Sequence, residues 1–123
     1  MLSITVHKSQ ANNPLLKHAR FFKKLQTNEE MKEDYLINSS TSVLFLDLTY
    51  HIKFPDYIKA RIDDLAKEKP NVNRILLLHQ DTKQPLNEVF TLLQVECMKA
   101  NTTMLVCWSY EEAAQYLHTM KSY

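Results

Sequence analysis

Three runs of apolar residues constrain the fold of this chain more than any other feature of its sequence. They span residues 43–48 (VLFLDL), 74–79 (RILLLH) and 103–108 (TMLVCW) and are largely apolar at consecutive positions. Such runs are typical of parallel strands that are buried on both faces of a sheet. Helical patterns lie between the runs, so the sequence predicts an α/β domain with a mainly parallel central sheet and helices on both faces.

The remaining elements follow from shorter signals. The patterns at residues 3–7 and 34–37 predict two further strands. The charged segment 23–33 (KKLQTNEEMKE) predicts an exposed, mobile loop. Helix starts are predicted at prolines and at a capping box. The first start is Asn13-Pro14, which is followed by apolar residues at helical spacing (Leu15, Ala19 and Phe22). The next two are Pro55 and Pro85, and the capping box is formed by Ser109 and Glu112.

Length and composition exclude several classes of protein. A chain of 123 residues predicts one domain, and the absence of glycine excludes a P-loop, a dinucleotide-binding turn and a nucleophile elbow. The net charge is +1, so nucleic-acid binding requires a local basic patch. No apolar run reaches the roughly 18 residues of a membrane span, and the first residues lack the apolar stretch that is typical of a signal peptide. We expect a soluble intracellular protein without membrane contact, in which Cys97 and Cys107 are reduced packing residues.

A metal-dependent nuclease is one chemical interpretation. Phosphodiester hydrolysis requires carboxylates that converge on Mg²⁺, and Asp34, Asp47 and Asp81 all lie on or beside predicted strands. The neighbouring strand positions are occupied by leucine and phenylalanine, which cannot bind a metal. The histidines are scattered without metal-ligand spacing, which favours structural roles for them.

A cluster of aromatic residues offers a second interpretation. Tyr50 and Tyr57 lie where an apolar strand passes into a helix, which is where open α/β sheets bind ligands, and Arg61 is one helical turn from Tyr57. Such residues suit stacking on bases or contact with an extended peptide. Simple core packing remains the alternative.

Several blocks of the sequence together resemble one family. They are NPLLK at 13–17, DYL at 34–36, LFLDLTYH at 44–51, PDYIKAR at 55–61 and WSYEEAAQYL at 108–117. In order and across nearly the whole chain, these blocks resemble the central domain of the non-catalytic partner of the XPF endonuclease (the excision-repair cross-complementation group one, Rad-ten and Swi-ten family). The resemblance implies an XPF nuclease-like, restriction-endonuclease-like fold without the catalytic motif. Asp34 matches a carboxylate of that motif, whereas Leu44, Phe45, Leu46 and Tyr50 take the other positions.

The resemblance also implies a binding groove in place of the lost active site. In the family, this groove takes a short peptide from the damage-verification protein XPA and contacts single-stranded or junction DNA. The matching residues here are Asn13, Phe45, Tyr50, Tyr57 and Arg61, and Lys17 and Lys53 are expected to add positive charge. The resemblance implies no catalysis, no metal and no cofactor, a heterodimer with an XPF-type subunit, and a nuclear role in nucleotide excision and interstrand crosslink repair.

The chain departs from the family pattern at positions that carry charge. The arginine-rich segment with glycine before Asn-Pro reads Ser9-Gln10-Ala11-Asn12 here, the arginine before Tyr-His is Thr49, and a serine of that strand is Asp47. Fewer cations predict weaker DNA binding than peptide binding. The family's C-terminal tandem helix-hairpin-helix domain requires glycines, so we expect it to be absent from these 123 residues.

Overall fold

The computed structural model describes residues 3–18, 24–28, 31–83 and 87–122. Its strands are β1 (Ser3–His7), β2 (Lys24–Asn28), β3 (Tyr35–Asn38), β4 (Thr41–Asp47), β5 (Asn73–His79) and β6 (Thr103–Cys107). Its α-helices are α1 (Leu48–Lys53), α2 (Tyr57–Glu68), α3 (Asn87–Lys99) and α4 (Tyr110–Ser122), and short 3₁₀ helices span Lys8–Gln10 and Pro14–His18. Within these residues, no helix is both long and apolar enough to cross a membrane.

The strands form one six-stranded sheet in the order β2-β1-β3-β4-β5-β6. β3 is antiparallel to both of its neighbours, whereas β1 pairs in parallel with β2, β4 with β5, and β5 with β6. The mainly parallel sheet predicted from the apolar runs is therefore confirmed. Because two antiparallel steps separate β1 from β4, these two strands run in the same direction and end at the same edge of the sheet.

Alternate residues of the central strands pack into two cores, one on each face of the sheet. Val43 and Phe45 of β4 belong to the core that is closed by α4 and the 3₁₀ helix at Pro14–His18. Leu44 and Leu46 point to the other face and pack against α2 and α3. The prediction of helices on both faces is confirmed, and the continuous apolar run of β4 is explained by the need to fill both cores.

Two of the sequence predictions about strands are wrong. Residues 24–28 form the edge strand β2 instead of a loop, and Glu33 at the end of the same predicted segment is buried. An edge strand is held by backbone pairing on one side and tolerates charged residues, so it lacks the apolar alternation on which the prediction relied. The run at 103–108 is also less buried than expected, because β6 is the opposite edge, and Trp108 beyond it is 67% exposed.

The helix predictions hold with shifted boundaries. The capping box is confirmed in part, since Ser109 Oγ accepts a hydrogen bond from the N–H of Glu112, while the Glu112 carboxylate accepts from the N–H of Trp108. Pro55 does not begin a helix, because the chain first forms α1 and turns a corner before α2 begins at Tyr57. The predicted positions Ala19, Phe22 and Pro85 lie outside the described residues.

Candidate binding groove

The groove forms where two chain segments leave the same edge of the sheet. After β1, the 3₁₀ turn at Lys8–Gln10 leads to Asn13 and Pro14; after β4, the chain enters α1. These segments and the end of β4 enclose a cavity of about 390 Å³. Its lining comprises Ser9, Gln10, Asn12, Asn13, Pro14, Phe45, Leu46, Asp47, Tyr50 and Tyr57.

Four of the residues that the sequence predicted for the groove come together in this lining: Asn13, Phe45, Tyr50 and Tyr57. Tyr50 and Tyr57 are 43% and 38% exposed, although large aromatic side chains are ordinarily buried to a greater extent. The alternative that the tyrosines are simple core residues is therefore wrong. Phe45 is only 6% exposed and forms the floor, since its ring also belongs to the core beneath α4.

The exposed aromatic rings hold one another in position. The Tyr50 ring lies edge-on to the Tyr57 ring, with centroids 5.0 Å apart and an interplanar angle of 75°. The Tyr50 ring also contacts Phe54, with centroids 4.8 Å apart. Both distances lie in the range of favourable aromatic pairs, so the three rings form a continuous aromatic wall. We call Tyr50, Phe54 and Tyr57 the aromatic wall below.

The opposite side of the groove is polar and is organised by Asn13 and Gln10. Asn13 Oδ1 accepts the N–H of Leu15 at 2.9 Å, so Asn13 caps the 3₁₀ helix as the sequence predicted. Its Nδ2 donates to Gln10 Oε1 at 2.9 Å, and that oxygen also accepts the hydroxyl of the buried Tyr35 at 3.0 Å. Gln10 was not singled out from the sequence, because no local pattern shows that it would receive a hydrogen bond from a residue 25 positions away.

The three cations predicted for the groove lie in different places. Lys17 is exposed on the 3₁₀ helix and is not part of the cavity lining. Lys53 lines a smaller adjoining cavity with Asp47, Thr49, Tyr50 and Phe54. The Arg61 guanidinium donates from Nη1 to Asp34 Oδ1 at 2.8 Å and to the Tyr57 hydroxyl at 3.0 Å, and from Nη2 to the Lys32 carbonyl at 2.8 Å.

Asp34 and Arg61 form a pair in which the carboxylate is inaccessible to solvent and the arginine is 21% exposed. Burial raises the pKa of Asp34 above its ordinary value, although Arg61 and the N–H of Phe45 oppose the rise. Burial alone would lower the pKa of Arg61, but the interactions with Asp34 and Tyr57 together outweigh burial and raise that pKa. A charge pair that is committed in this way offers little attraction to a phosphate in the groove.

Among the described residues of the cavity lining, Asp47 carries the only formal charge. Asp47 Oδ1 lies 2.8 Å from His79 Nδ1, and these residues are paired in register across β4 and β5. Burial, the charges of Asp47 and Asp81, and a hydrogen bond to Asp47 raise the pKa of the neighbouring Tyr110. The groove is therefore aromatic with one acidic end, rather than basic.

The carboxylates considered for a nuclease do not assemble as a set of three. Oxygen and nitrogen atoms of Asp47, His79 and Asp81 lie within 4.8 Å of one another, but Asp34 is not in this group. Asp81 accepts two hydrogen bonds from Thr49, one from its N–H and one from its hydroxyl, at 2.9 and 2.6 Å. Asp34 faces Arg61 and the N–H of Phe45 instead.

The fold and the groove together define a nuclease-like α/β domain with an exposed aromatic groove at the edge of its sheet where β1 and β4 end. Comparison with solved structures agrees: XPF from Aeropyrum pernix in complex with DNA superposes with a TM-score of 0.82 over 99% of this chain and 64% of that one, at 9% identity. A second structure of XPF from Aeropyrum pernix gives a TM-score of 0.77 at 8% identity. At these identities, the comparison shows the fold alone.

The sequence itself matches a family model over residues 1–123, described as the binding domain of DNA repair protein Ercc1 (rad10/Swi10). The chain belongs to this family. Its relatives include DNA excision repair protein ERCC-1 of Arabidopsis thaliana, which is 38% identical over 98% of the chain. The mating-type switching protein swi10 of Schizosaccharomyces pombe is 36% identical over 98%, and the DNA repair protein RAD10 of Saccharomyces cerevisiae is 32% identical over 94%. The chain spans 28%, 46% and 54% of the lengths of these three relatives.

Proposed function

We propose that this domain is a non-catalytic binding module of a structure-specific DNA repair endonuclease, and that its groove binds a short XPA-type peptide. The observation that carries the proposal is the aromatic wall, where Tyr50 and Tyr57 remain exposed above a cavity of about 390 Å³. Rigid amphipathic tyrosines in a concave site favour binding because little conformational entropy is lost when a ligand covers them.

The polar side of the groove suits an extended peptide backbone. Asn13 uses one amide hydrogen on Gln10, and an amide nitrogen carries two hydrogens, so a second donor is available for a ligand carbonyl. Apolar side chains of the ligand would lie against Tyr50 and Tyr57. The same residues, with Phe45 beneath them, form the proposed contact set.

Single-stranded or junction DNA is the weaker ligand in this proposal. Bases can stack on exposed tyrosines, but affinity for the phosphate backbone depends on accessible cations. Lys53 and Lys17 supply exposed positive charge near the groove, whereas Arg61 is paired with Asp34 and Asp47 opposes a phosphate.

The biological setting that we propose follows from membership of the family. The domain would act with an XPF-type endonuclease subunit, in the nucleus, in nucleotide excision and interstrand crosslink repair. Support comes from relatives whose names specify DNA repair and from the XPF-like fold. The domain would bring protein contacts to the complex, and the cutting would belong to the other subunit.

Titration with a synthetic peptide of the XPA segment tests the groove. Tyr50→Ala should weaken binding at least about tenfold, as truncation of a central aromatic contact ordinarily does. Met98→Ala provides a matched control, because Met98 is 70% exposed on α3 and does not line the cavity. Equal affinity of the Tyr50→Ala variant and the wild type would exclude the groove as the binding site.

The rival function is a metal-dependent nuclease, and the cluster of Asp47, His79 and Asp81 is the observation that favours it. These groups are already engaged with one another or with Thr49, which makes them poor candidates for a metal that must bind water and substrate. A cleavage assay on flap and bubble DNA with Mg²⁺ or Mn²⁺ separates the two functions. Activity that is abolished by Asp81→Asn would replace our proposal with the rival.

A further inference from the structure

One buried carboxylate is hydrogen-bonded to the floor of the groove and, through Arg61, to its aromatic wall. Asp34 Oδ2 accepts the backbone N–H of Phe45 at 2.7 Å, and Phe45 is the floor of the cavity. Asp34 Oδ1 accepts from Arg61 at 2.8 Å, and the same Arg61 nitrogen donates to the Tyr57 hydroxyl at 3.0 Å. One oxygen of Asp34 therefore connects to the floor of the groove, and the other connects through Arg61 to the aromatic wall.

The backbone of Asp34 is as firmly held as its side chain. Its N–H donates to the carbonyl of Val43 at 2.9 Å, and its carbonyl accepts from the N–H of His7 at 2.8 Å. Asp34 is thus anchored to β1 and β4, the strands from which the two groove segments leave. A side chain on such a rigid support can hold a partner in one position.

Tyr57 lies in the first turn of α2, at the protein surface. It is 38% exposed, and Arg61 one turn later restrains its hydroxyl. The Tyr57 ring in turn meets the edge of Tyr50 at 5.0 Å. The chain of contacts from Asp34 through Arg61 and Tyr57 to Tyr50 ends at the surface proposed to meet the ligand.

We infer that Asp34 and Arg61 are positioning residues that hold the aromatic wall in its binding geometry, and that Arg61 does not itself contact the ligand. This inference rests on the proposed function of the groove. A side chain ordered before binding does not have to lose that freedom in the complex, which improves affinity.

The substitution Asp34→Asn tests the contact of Asp34 with Arg61 separately from its contact with the N–H of Phe45. The asparagine oxygen can still accept the N–H of Phe45, but the amide group places a donor against the donor Arg61. Glu33→Gln is the matched control, because Glu33 is the adjacent residue, its side chain is 1% exposed, and it pairs with Lys69 instead of a groove residue. Both variants remove one buried carboxylate beside β3.

The first measurement needs no ligand. In wild type and in Glu33→Gln, nuclear Overhauser effects should connect the rings of Tyr50 and Tyr57, whose centroids are 5.0 Å apart. In Asp34→Asn, these effects should weaken or vanish while those within the core persist. Unchanged ring contacts in folded Asp34→Asn protein would overturn the inference.

The second measurement is a double-mutant cycle with the synthetic XPA peptide. Asp34→Asn should weaken binding about fivefold, the effect of ordering one side chain on binding, whereas Glu33→Gln should bind like the wild type. In a Tyr57→Phe background, where Arg61 has no hydroxyl to hold, Asp34→Asn should cause less than about a twofold further loss.

The possible outcomes separate the positioning role of Asp34 and Arg61 from the proposed binding of a peptide in the groove. If the wild type binds the peptide and the losses from Asp34→Asn and Tyr57→Phe are additive, Asp34 is merely structural and the groove proposal stands. If the wild type does not bind the peptide at all, the proposed function fails and the positioning role fails with it.

Discussion

His79 Nδ1 lies 2.8 Å from Asp47 Oδ1, and this contact joins the ends of two parallel strands at the edge where the groove opens. The pairing orients the Asp47 carboxylate, which is 33% exposed and lines the cavity. A carboxylate fixed in the lining of a groove repels the phosphates of a nucleic acid. We therefore predict that Asp47 lowers the affinity of the groove for nucleic acid.

Asp47→Ser should strengthen the binding of single-stranded DNA. Repulsion between two charges about 4 Å apart in water is about 1 kcal/mol, which corresponds to about a fivefold change in affinity. The measurement is fluorescence anisotropy with a labelled oligo(dT) of about 16 nucleotides at fixed ionic strength.

Asp63→Ser gives the matched control for this prediction. It removes the same charge from an exposed position of α2 that does not line the cavity. If both variants gain the same affinity for single-stranded DNA, the effect is one of net charge, and Asp47 has no special role in the groove.

Glu33→Gln should change how stability depends on pH. Burial would raise the pKa of Glu33, but Lys69 and Ser42 outweigh burial and lower it below the ordinary 4.5. Folding thus favours the ionised form, and the stability this provides is present above the ordinary pKa and lost as the pH falls through the folded pKa. The pKa of Asp34 is raised, so the contribution of its ionisation to stability has the opposite dependence on pH: it is present at low pH and is lost as the pH rises through the folded pKa.

Urea unfolding of wild type and Glu33→Gln provides the measurement. The wild type should be more stable by about 2 kcal/mol near pH 7, a value reduced from that of a fully buried pair because Lys69 is 31% exposed. The difference should shrink at about pH 3. A difference that does not vary with pH would show that Glu33 contributes through packing rather than through its charge.

Cys97 and Cys107 should be unreactive in the native protein. Burial raises the pKa of Cys97 to about 11, with help from Glu96, and that of Cys107 to about 12, with help from Glu112 and Asp47. The thiolate is the reactive form, and both side chains are also inaccessible. Titration with a thiol reagent at about pH 8 should detect no thiol before unfolding and both afterwards. Rapid labelling of the folded protein would contradict the packing seen for these residues.

The sequence was sufficient for the central strands and for four residues of the cavity lining. Continuous apolar runs occur where a strand must fill cores on both faces, so β4 and β5 could be recognised from local pattern. Tyr50 and Tyr57 could be found because they flank the end of such a strand. The charge departure at Asp47 could also be read directly.

What the sequence did not reveal depends on contacts between distant residues. β2 is defined by pairing with β1, and Gln10 gains its role from Tyr35. Arg61 is paired with Asp34, which lies 27 positions earlier in the chain. A local pattern can show that a cation is present, but only the fold shows what it is paired with.

The most direct test of the groove is to map where a ligand binds. In a ¹⁵N-labelled sample titrated with the synthetic XPA peptide, the backbone amides of Asn13, Phe45, Tyr50 and Tyr57 should shift together and saturate with a single affinity. The amides of Leu92, Val95 and Met98, exposed apolar residues of α3, should remain unchanged. Shifts confined to α3, with the groove amides unmoved at saturation, would contradict the account.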